Sequence, residues 1–398
     1  MTDPSLPPVR PGLVLFALAM GGFAIGTTEF ATMSLLPNFA AGLHVDEPTA
    51  GHVISAYALG VVVGAPVIAV LAARITRRRL LLVLMTLIAV GNGLSALAPT
   101  YHWMLLFRFL SGLPHGAYFG IASLVAASLV APNRRTFAVS RLMLGLTIAT
   151  VIGVPLANWL GQALGWRWSF GVVAVLGFIT VGLIALFAPR DTVHADASPL
   201  RELSALGRRQ VWLTLGIGAI GFGGLFSVYT YLASTLVYVT HVGPAVVPLV
   251  LCVFGLGLTV GNLLVPWAAD RALMPTAGAL LLWSAAALAL FTIAAGNVYA
   301  VTLVVFLIGC GGALATVLQT RLMDVADHAQ GLAAALNHSA FNTANALGPL
   351  LGGMAIAAGY GWISTGWVGC ALALGGFVIW LVSFADMRSS ERRRGVPA

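Results

Sequence analysis

The chain has 398 residues, of which 59% are hydrophobic and 8% charged, and its mean hydropathy is +0.97. Soluble domains carry about a quarter charged residues, because most of their surface faces water. This composition therefore excludes a soluble enzyme, a nucleic-acid-binding domain and a disordered scaffold, and it makes lipid the solvent. The net charge of +8 comes from 20 basic residues, all Arg, which lie between apolar runs. That placement signals membrane orientation, so no nucleic-acid partner is expected.

Twelve runs reach the roughly 20 apolar residues that a bilayer-spanning helix needs. They fall at 12–37, 49–73, 79–98, 103–130, 136–161, 166–188, 211–236, 244–267, 275–295, 298–319, 331–357 and 362–385. The strands of a membrane barrel would instead alternate apolar and polar residues over about ten positions. The first run is about twice the length of a signal-peptide core, with one Arg before it, so it is expected to stay as a span. Cys252, Cys310 and Cys370 each sit inside an apolar run without metal-ligand spacing and read as small core residues. No metal site and no cofactor are expected.

Orientation follows from the Arg residues. Of the 20, 18 fall at the N-terminus, in the even-to-odd loops or in the C-terminal tail, while Arg167 is in an opposite loop and Arg108 inside span four. Positive residues stay on the cytoplasmic side, so both termini are expected there, in a multi-pass protein of the plasma (inner) membrane. The longest polar stretch between spans lies mid-chain. It divides the chain into an N-terminal bundle, 1–188, a cytoplasmic linker, 189–210, and a C-terminal bundle with its tail, 211–398. A shift of 197 positions lays residues 59–74 on 256–271 with six identities in 16, including Gly60 on Gly257, Gly64 on Gly261 and Arg74 on Arg271. Duplicated halves are a mark of secondary transporters, whose solute site lies between the repeats near the midplane. The numerous small residues also suit close helix packing in lipid.

Four segments carry a more specific resemblance. Gly60 to Arg79 resembles the loop-two motif of the major facilitator superfamily, in which Gly, Asp and Arg lock the cytoplasmic ends of neighbouring helices. Ala73 stands where that motif has Asp and Thr76 where it has Gly, while Arg74 and Arg77-Arg78-Arg79 are kept, and the second half keeps Asp270-Arg271. Arg108-Phe-Leu-Ser-Gly112 resembles the family's proton-coupling motif. Gly145 through Gly153-Val-Pro155 is similar to the antiporter signature of drug and sugar exporters, with Val154 interrupting the Gly-Pro pair, and Gly348-Pro349 through Gly353 is a cleaner copy. Three further stretches, Gly26-Thr-Thr-Glu29-Phe30, Ala50-Gly51-His52 through Pro66, and Gly112 through Gly120, are similar to one subgroup of the drug/sugar:proton antiporters, as is Ala340-Phe341-Asn342. The resemblance implies an all-α membrane protein with 12 helices in two pseudo-symmetric six-helix bundles.

A charge at the bilayer centre costs about 2.5–3.5 kcal/mol on insertion scales, so those retained there usually serve a function. Of 12 acidic residues, Glu29 alone lies deep in an apolar run, and Arg108 is the deep base. A rise of about 1.5 Å per residue puts Glu29 roughly 12 Å and Arg108 roughly 8 Å below the same face. The resemblance has both their spans line the central cavity, so a contact is expected, direct or through water. Burial raises a carboxyl pKa and a nearby cation lowers it, which suits a proton switch; a fixed ion pair between two helices is the alternative. His115, about 10 Å deeper on the stripe of Gly112 and Phe119, can relay a proton or bond solute, or simply pack against a neighbouring helix. Glu29, Arg108 and His115 are thus the proton-coupling candidates.

Tyr118, Tyr229, Asn342 and Asn345 are the solute-contact candidates. Asn342 and Asn345 share a face at i, i+3. Tyr229 and Tyr231 can equally be interface-belt residues anchored at the membrane surface. Arg74, Arg77, Asp270 and Arg271 are the candidates for a cytoplasmic gate. There is no phosphate-binding loop, so ATP is not expected to drive transport. The expectation is a monomeric secondary exporter, exchanging a sugar or small amphiphilic drug for protons. A proton-coupled importer or passive facilitator shares the same architecture. An intramembrane enzyme would need two polar groups converging on one reacting atom, and the estimated depths of Glu29 and His115 differ by roughly 6–9 Å.

Overall fold

The computed structural model describes residues 10–71, 75–131, 135–189, 206–326 and 330–393. The described residues fold into twelve long helical segments. In chain order, α1 is Pro11–Ser34, α2 Glu47–Leu71 and α3 Arg77–Ala96; α4 is Tyr101–Gly112 continued by His115–Ser128. α5 runs Arg135–Ile148 and Val154–Leu164 about a π-turn, and α6 is Trp166–Phe187. α7 comprises Arg209–Gly221, Gly223–Thr230 and Leu232–Tyr238; α8 is Val247–Ala269 and α9 Leu273–Ala294. α10 comprises Val298–Gly311 and Leu314–Ala326, α11 is Gln330–Ala355 and α12 Ser364–Arg393.

Eleven of these are long and apolar enough to cross a membrane. The exception is α11, where Asn337, His338, Ser339, Asn342, Thr343 and Asn345 dilute the apolar residues. Asn337, Ser339, Asn342 and Asn345 are nevertheless buried within the protein. A helix that polar, 26 residues long and lodged inside a membrane protein, has its polar side chains turned to protein rather than lipid.

The breaks have local causes. Pro114 has no N–H and separates the two parts of α4. Pro155, at the first turn of the second part of α5, follows the π-turn Ala149–Gly153, so the resemblance to the antiporter signature falls on a real irregularity of the helix.

The internal repeat is visible in the packing. A Cβ on Gly60 would overlap the Phe109 carbonyl, and one on Gly64 the Leu113 carbonyl. In the second half a Cβ on Gly257 would overlap the Phe306 carbonyl, and one on Gly261 the Cys310 carbonyl. Gly112 meets the Tyr57 carbonyl as Gly309 meets that of Phe254. Each member of the second set is the first shifted by 197 positions. α2 crosses α4 as α8 crosses α10, backbone against backbone, which only residues without side chains permit.

The buried side chains show where the halves meet. One core joins both, from Phe30, Phe39 and Ile54 to Tyr229, Phe254 and Leu288. At the opposite end the cores are separate, with Leu81, Phe119 and Leu142 in the first half and Leu281, Leu318 and Trp380 in the second. Among the described residues the molecule is therefore sealed at the end carrying Glu47, while towards the Arg-rich end the apolar cores of the two halves are separate clusters.

Candidate functional site

The polar side chains of the first half form a connected chain through the bundle. Glu29, on α1, is 7% exposed. Its neighbour Thr28 donates its hydroxyl to Asn92 Oδ1 on α3 at 2.5 Å and accepts from Arg108 Nη1 on α4 at 3.0 Å. The Arg108 guanidinium lies 4.2 Å from the centre of the Tyr57 ring on α2 and 5.5 Å from that of Phe170 on α6. Such faces stabilise a desolvated cation by up to about 2 kcal/mol. The Tyr57 hydroxyl and His115 Nδ1 are hydrogen-bonded at 2.9 Å.

The expected Glu29–Arg108 contact is not formed as a direct ion pair. The guanidinium engages Thr28, one residue away, and is held there by two aromatic rings, while Glu29 turns to the other half. Its Oε1 accepts from Asn345 Nδ2 on α11 at 2.9 Å. Comparable depth was readable from sequence, whereas the direction each side chain takes around its helix was not.

A second link between the halves lies beside the first. His338 on α11 stacks on Phe119 of α4, centroids 5.2 Å apart at 8°, and its ring centre is 6.1 Å from that of His115. Tyr118 points away from this region, its hydroxyl donating to the Leu18 carbonyl at 2.8 Å inside the first half's own core.

The second half offers aromatic rings where the first carries charge. The positions related to Glu29, Tyr57, Arg108 and His115 by the repeat shift are Phe226, Phe254, Val305 and Gly312. Phe254 packs against Tyr229 with centroids 4.4 Å apart, and Phe30, next to Glu29, sits edge-on to Tyr229 at 5.5 Å and stacked with Phe226 at 6.3 Å. Asn342 donates to the His338 carbonyl at 3.0 Å. Tyr229 is 1% and Tyr231 0% exposed, so the belt reading fails for both. An aromatic near the end of a span has the same sequence signature whether it faces headgroups or another helix.

Tyr231 instead closes the sealed end. Its hydroxyl donates to the Pro349 carbonyl at 2.9 Å and lies against Gly51 of α2 and Gly353 of α11. Beside it, Ser234 donates to the Glu47 carboxylate, and Ser55 donates to the Ala346 carbonyl at 2.9 Å. Sequence reasoning passed over Glu47 as a span-end residue, and over Thr28, Tyr57 and Asn92. Of these Asn92 did carry a signal, an amide in the middle of an apolar run.

At the Arg-rich end, Arg74 lies outside the described residues. Arg77 opens α3. The Arg271 guanidinium stacks 3.8 Å from the Trp267 ring and donates to the Trp267 carbonyl at 2.6 Å. Asp270 borders a cleft of about 290 Å³ with Asp324, Thr316 and Thr320, within the second half.

Twelve helical segments in two repeated halves, with buried ionisable groups at their junction, are the architecture of a membrane transporter. The chain belongs to the Major Facilitator Superfamily, whose model matches residues 18–276 and 232–397. It is 40% identical to "Inner membrane transport protein YdhP" of Escherichia coli (strain K12) over 378 residues, 95% of this chain and 97% of that protein. It is 33% identical to "Chloramphenicol resistance protein" of Streptomyces lividans over 347 residues, 85% and 88% of the two chains. Among solved structures, a mutant of the nucleoside transporter NupG superimposes with a TM-score of 0.70 at 14% identity, covering 94% of this chain and 100% of that one, which shows the shared fold.

Proposed function

We propose that this transporter exchanges protons for a sugar or small amphiphilic drug and carries the solute out of the cytoplasm by alternating access. The halves that rock are 1–188 and 211–398, joined by the linker 189–210. The protein sits in the plasma (inner) membrane as a monomer with both termini in the cytoplasm, the side that holds 18 of the 20 Arg residues. In that orientation the sealed end faces outward and the solute enters from the cytoplasmic end. Efflux is favoured over import by the kinship with a protein named for chloramphenicol resistance.

The observation that carries the reading is the Glu29–Asn345 bond, because it joins the deep carboxyl of one half to the other half. A hydrogen bond to a carboxylate is roughly twice as strong as one to a neutral group. The bond to the ionised carboxylate therefore helps to hold the outer end shut; once that end has opened, Glu29 takes its proton from outside, and releasing it to the cytoplasm after the cavity has turned inward restores the bond. Arg108 sets the charge around Glu29 through Thr28, and His115 relays protons along Tyr57. Tyr118, Tyr229, Asn342 and Asn345 serve the solute pathway, Tyr118 by fixing α4 against α1. Arg74, Arg77, Asp270 and Arg271 hold the cytoplasmic ends together when the outer end is open.

The test uses proteoliposomes of one orientation loaded with labelled chloramphenicol or a labelled pentose. An acid exterior is expected to accelerate exit from the lumen that corresponds to the cytoplasm. Glu29→Gln is expected to keep solute–solute exchange and lose the response to the gradient. Gradient-driven exit unchanged in Glu29→Gln overturns the assignment, and acceleration in the opposite direction makes the protein an importer.

A further inference from the structure

Among the described residues, the buried side-chain atoms without a hydrogen-bond partner include Asn342 Oδ1 and Asn345 Oδ1 on α11, the hydroxyls of Tyr229 and Thr230 on α7, and Arg108 Nε on α4. Buried polar atoms are nearly always paired, and each one left unmade is costly. The two amides are alike in what they have left. Asn342 commits one N–H of its amide to the His338 carbonyl and Asn345 commits one to Glu29, and in each the carbonyl oxygen is left bare. Glu29 is a third acceptor on the same junction. Asn342 and Asn345 are 4% and 0% exposed and lie three residues apart, on neighbouring positions of one helix face. Through its bond to Glu29, Asn345 reaches the residue next to Phe30, which packs with Phe226 and Tyr229, and Tyr229 packs in turn with Phe254.

We propose that these atoms are the polar half of the solute site, and that the solute is a neutral molecule bearing at least two O–H or N–H donors along one edge and a flat apolar face on the other. The donors pair with the Asn342 and Asn345 carbonyl oxygens, and the flat face lies on the rings. A third donor can displace Asn345 from Glu29, which would make solute and proton compete for one carboxylate. A permanent cation is disfavoured by the Arg108 guanidinium, which already supplies a buried positive charge next to Thr28 and Glu29. The inference rests on the exchange reading above and names its substrate class.

The test needs no variant in its first step. Binding to the purified transporter in detergent is measured by thermal shift and intrinsic tryptophan fluorescence for two matched pairs, chloramphenicol with its di-O-acetyl ester, and phenyl β-D-glucopyranoside with its tetra-O-methyl ether. Tetraphenylphosphonium serves as the donor-free cation. At least one hydroxylated member is expected to bind about tenfold or more tighter than its masked twin, because a missing donor strands a buried acceptor. In Asn342→Leu and Asn345→Leu that gap is expected to shrink to within about threefold, while Asn342→Ser, which keeps an acceptor oxygen, retains most of it. Equal binding of masked and free members, no binding by either pair, or tighter binding of tetraphenylphosphonium than of every hydroxylated probe overturns the proposal. Binding in detergent requires no gradient, so a wrong solute class and a wrong coupling residue fail in different assays.

Discussion

Asn345 donates to Glu29 across the junction of the two halves at 2.9 Å, and no other acidic side chain lies so deep in an apolar run. The bond joins the carboxyl of one half to an amide of the other. Neutralising Glu29 is expected to weaken the sealed end by about 1 kcal/mol, the difference between a charge-assisted and a neutral hydrogen bond. Spin labels on α2 and α11 should report a several-fold rise in the open population when the wild type is acidified. In Glu29→Gln the population should sit at the acid value at every pH. A distance distribution in that variant that still follows pH would assign the response to another group.

Arg108 is fixed by a hydroxyl and two rings rather than by the carboxylate, and that predicts which replacements it tolerates. Lysine keeps the charge but has no plane to lay on Tyr57 and no fork to reach Thr28. Arg108→Lys is therefore expected to lose transport with insertion intact. Thr28→Val removes the partner from the other side. The two changes should be non-additive, with a coupling of about 1–2 kcal/mol in thermal stability. Additive effects would mean that the Thr28 bond contributes little.

How much of this was readable beforehand differs between backbone and side-chain relationships. Eleven of the twelve helices follow from apolar length, and the repeat followed from Gly60, Gly64, Gly257 and Gly261, because a glycine that admits a carbonyl leaves its mark at the same position in both halves. The deep acid and base were visible because lipid penalises them. Their partners were not, since Asn345 lies 316 positions from Glu29 in sequence and its azimuth is set by how two bundles dock. Tyr231 shows the same limit, as its position near a span end says nothing about which neighbour it faces.

The Tyr231 hydroxyl fastens the sealed end at a place where both facing residues are glycines. Tyr231→Phe removes the bond to the Pro349 carbonyl and should cost about 0.5–1.5 kcal/mol of closure. Gly51→Leu should do more, because even a Cβ there overlaps the hydroxyl. Both should raise the labelling rate of a cysteine introduced at Ser55, which now bonds the Ala346 carbonyl. Unchanged labelling in Gly51→Leu would show that Tyr231 can move aside without opening the junction.

The duplicated glycine contacts predict matched costs. Gly112→Val and Gly309→Val each drive a branched side chain into the carbonyl of a facing helix, Tyr57 in one half and Phe254 in the other. Overpacking of this kind costs about 1–3 kcal/mol. The two variants should lower the melting temperature of the detergent-solubilised protein by similar amounts. A cost confined to one half would mean that the repeat is preserved in position and not in energetics.

The clasp at the sealed end also depends on how α2 begins. Asp46 precedes the helix, and its Oδ1 accepts from the Thr49 backbone N–H at 2.8 Å. Hydrogen bonds from the Thr49 side chain and backbone hold the Asp46 carboxyl below its usual range. A carboxyl lowered in the folded state stabilises fully above its unfolded pKa of about 3.9, and that contribution is lost as the pH falls through the lower folded value. Asp46→Ala should therefore cost about 1 kcal/mol of helix-end stability at neutral pH, read as faster hydrogen exchange at the Thr49 amide. Asp46→Asn caps without a charge and should keep that protection while removing its dependence on acid. Glu47 is the next residue, so fraying of this turn is expected to loosen its bond with Ser234 as well. If Asp46→Ala speeds exchange at Thr49 but leaves the spacing of α2 and α7 unchanged, the helix end and the clasp are independent.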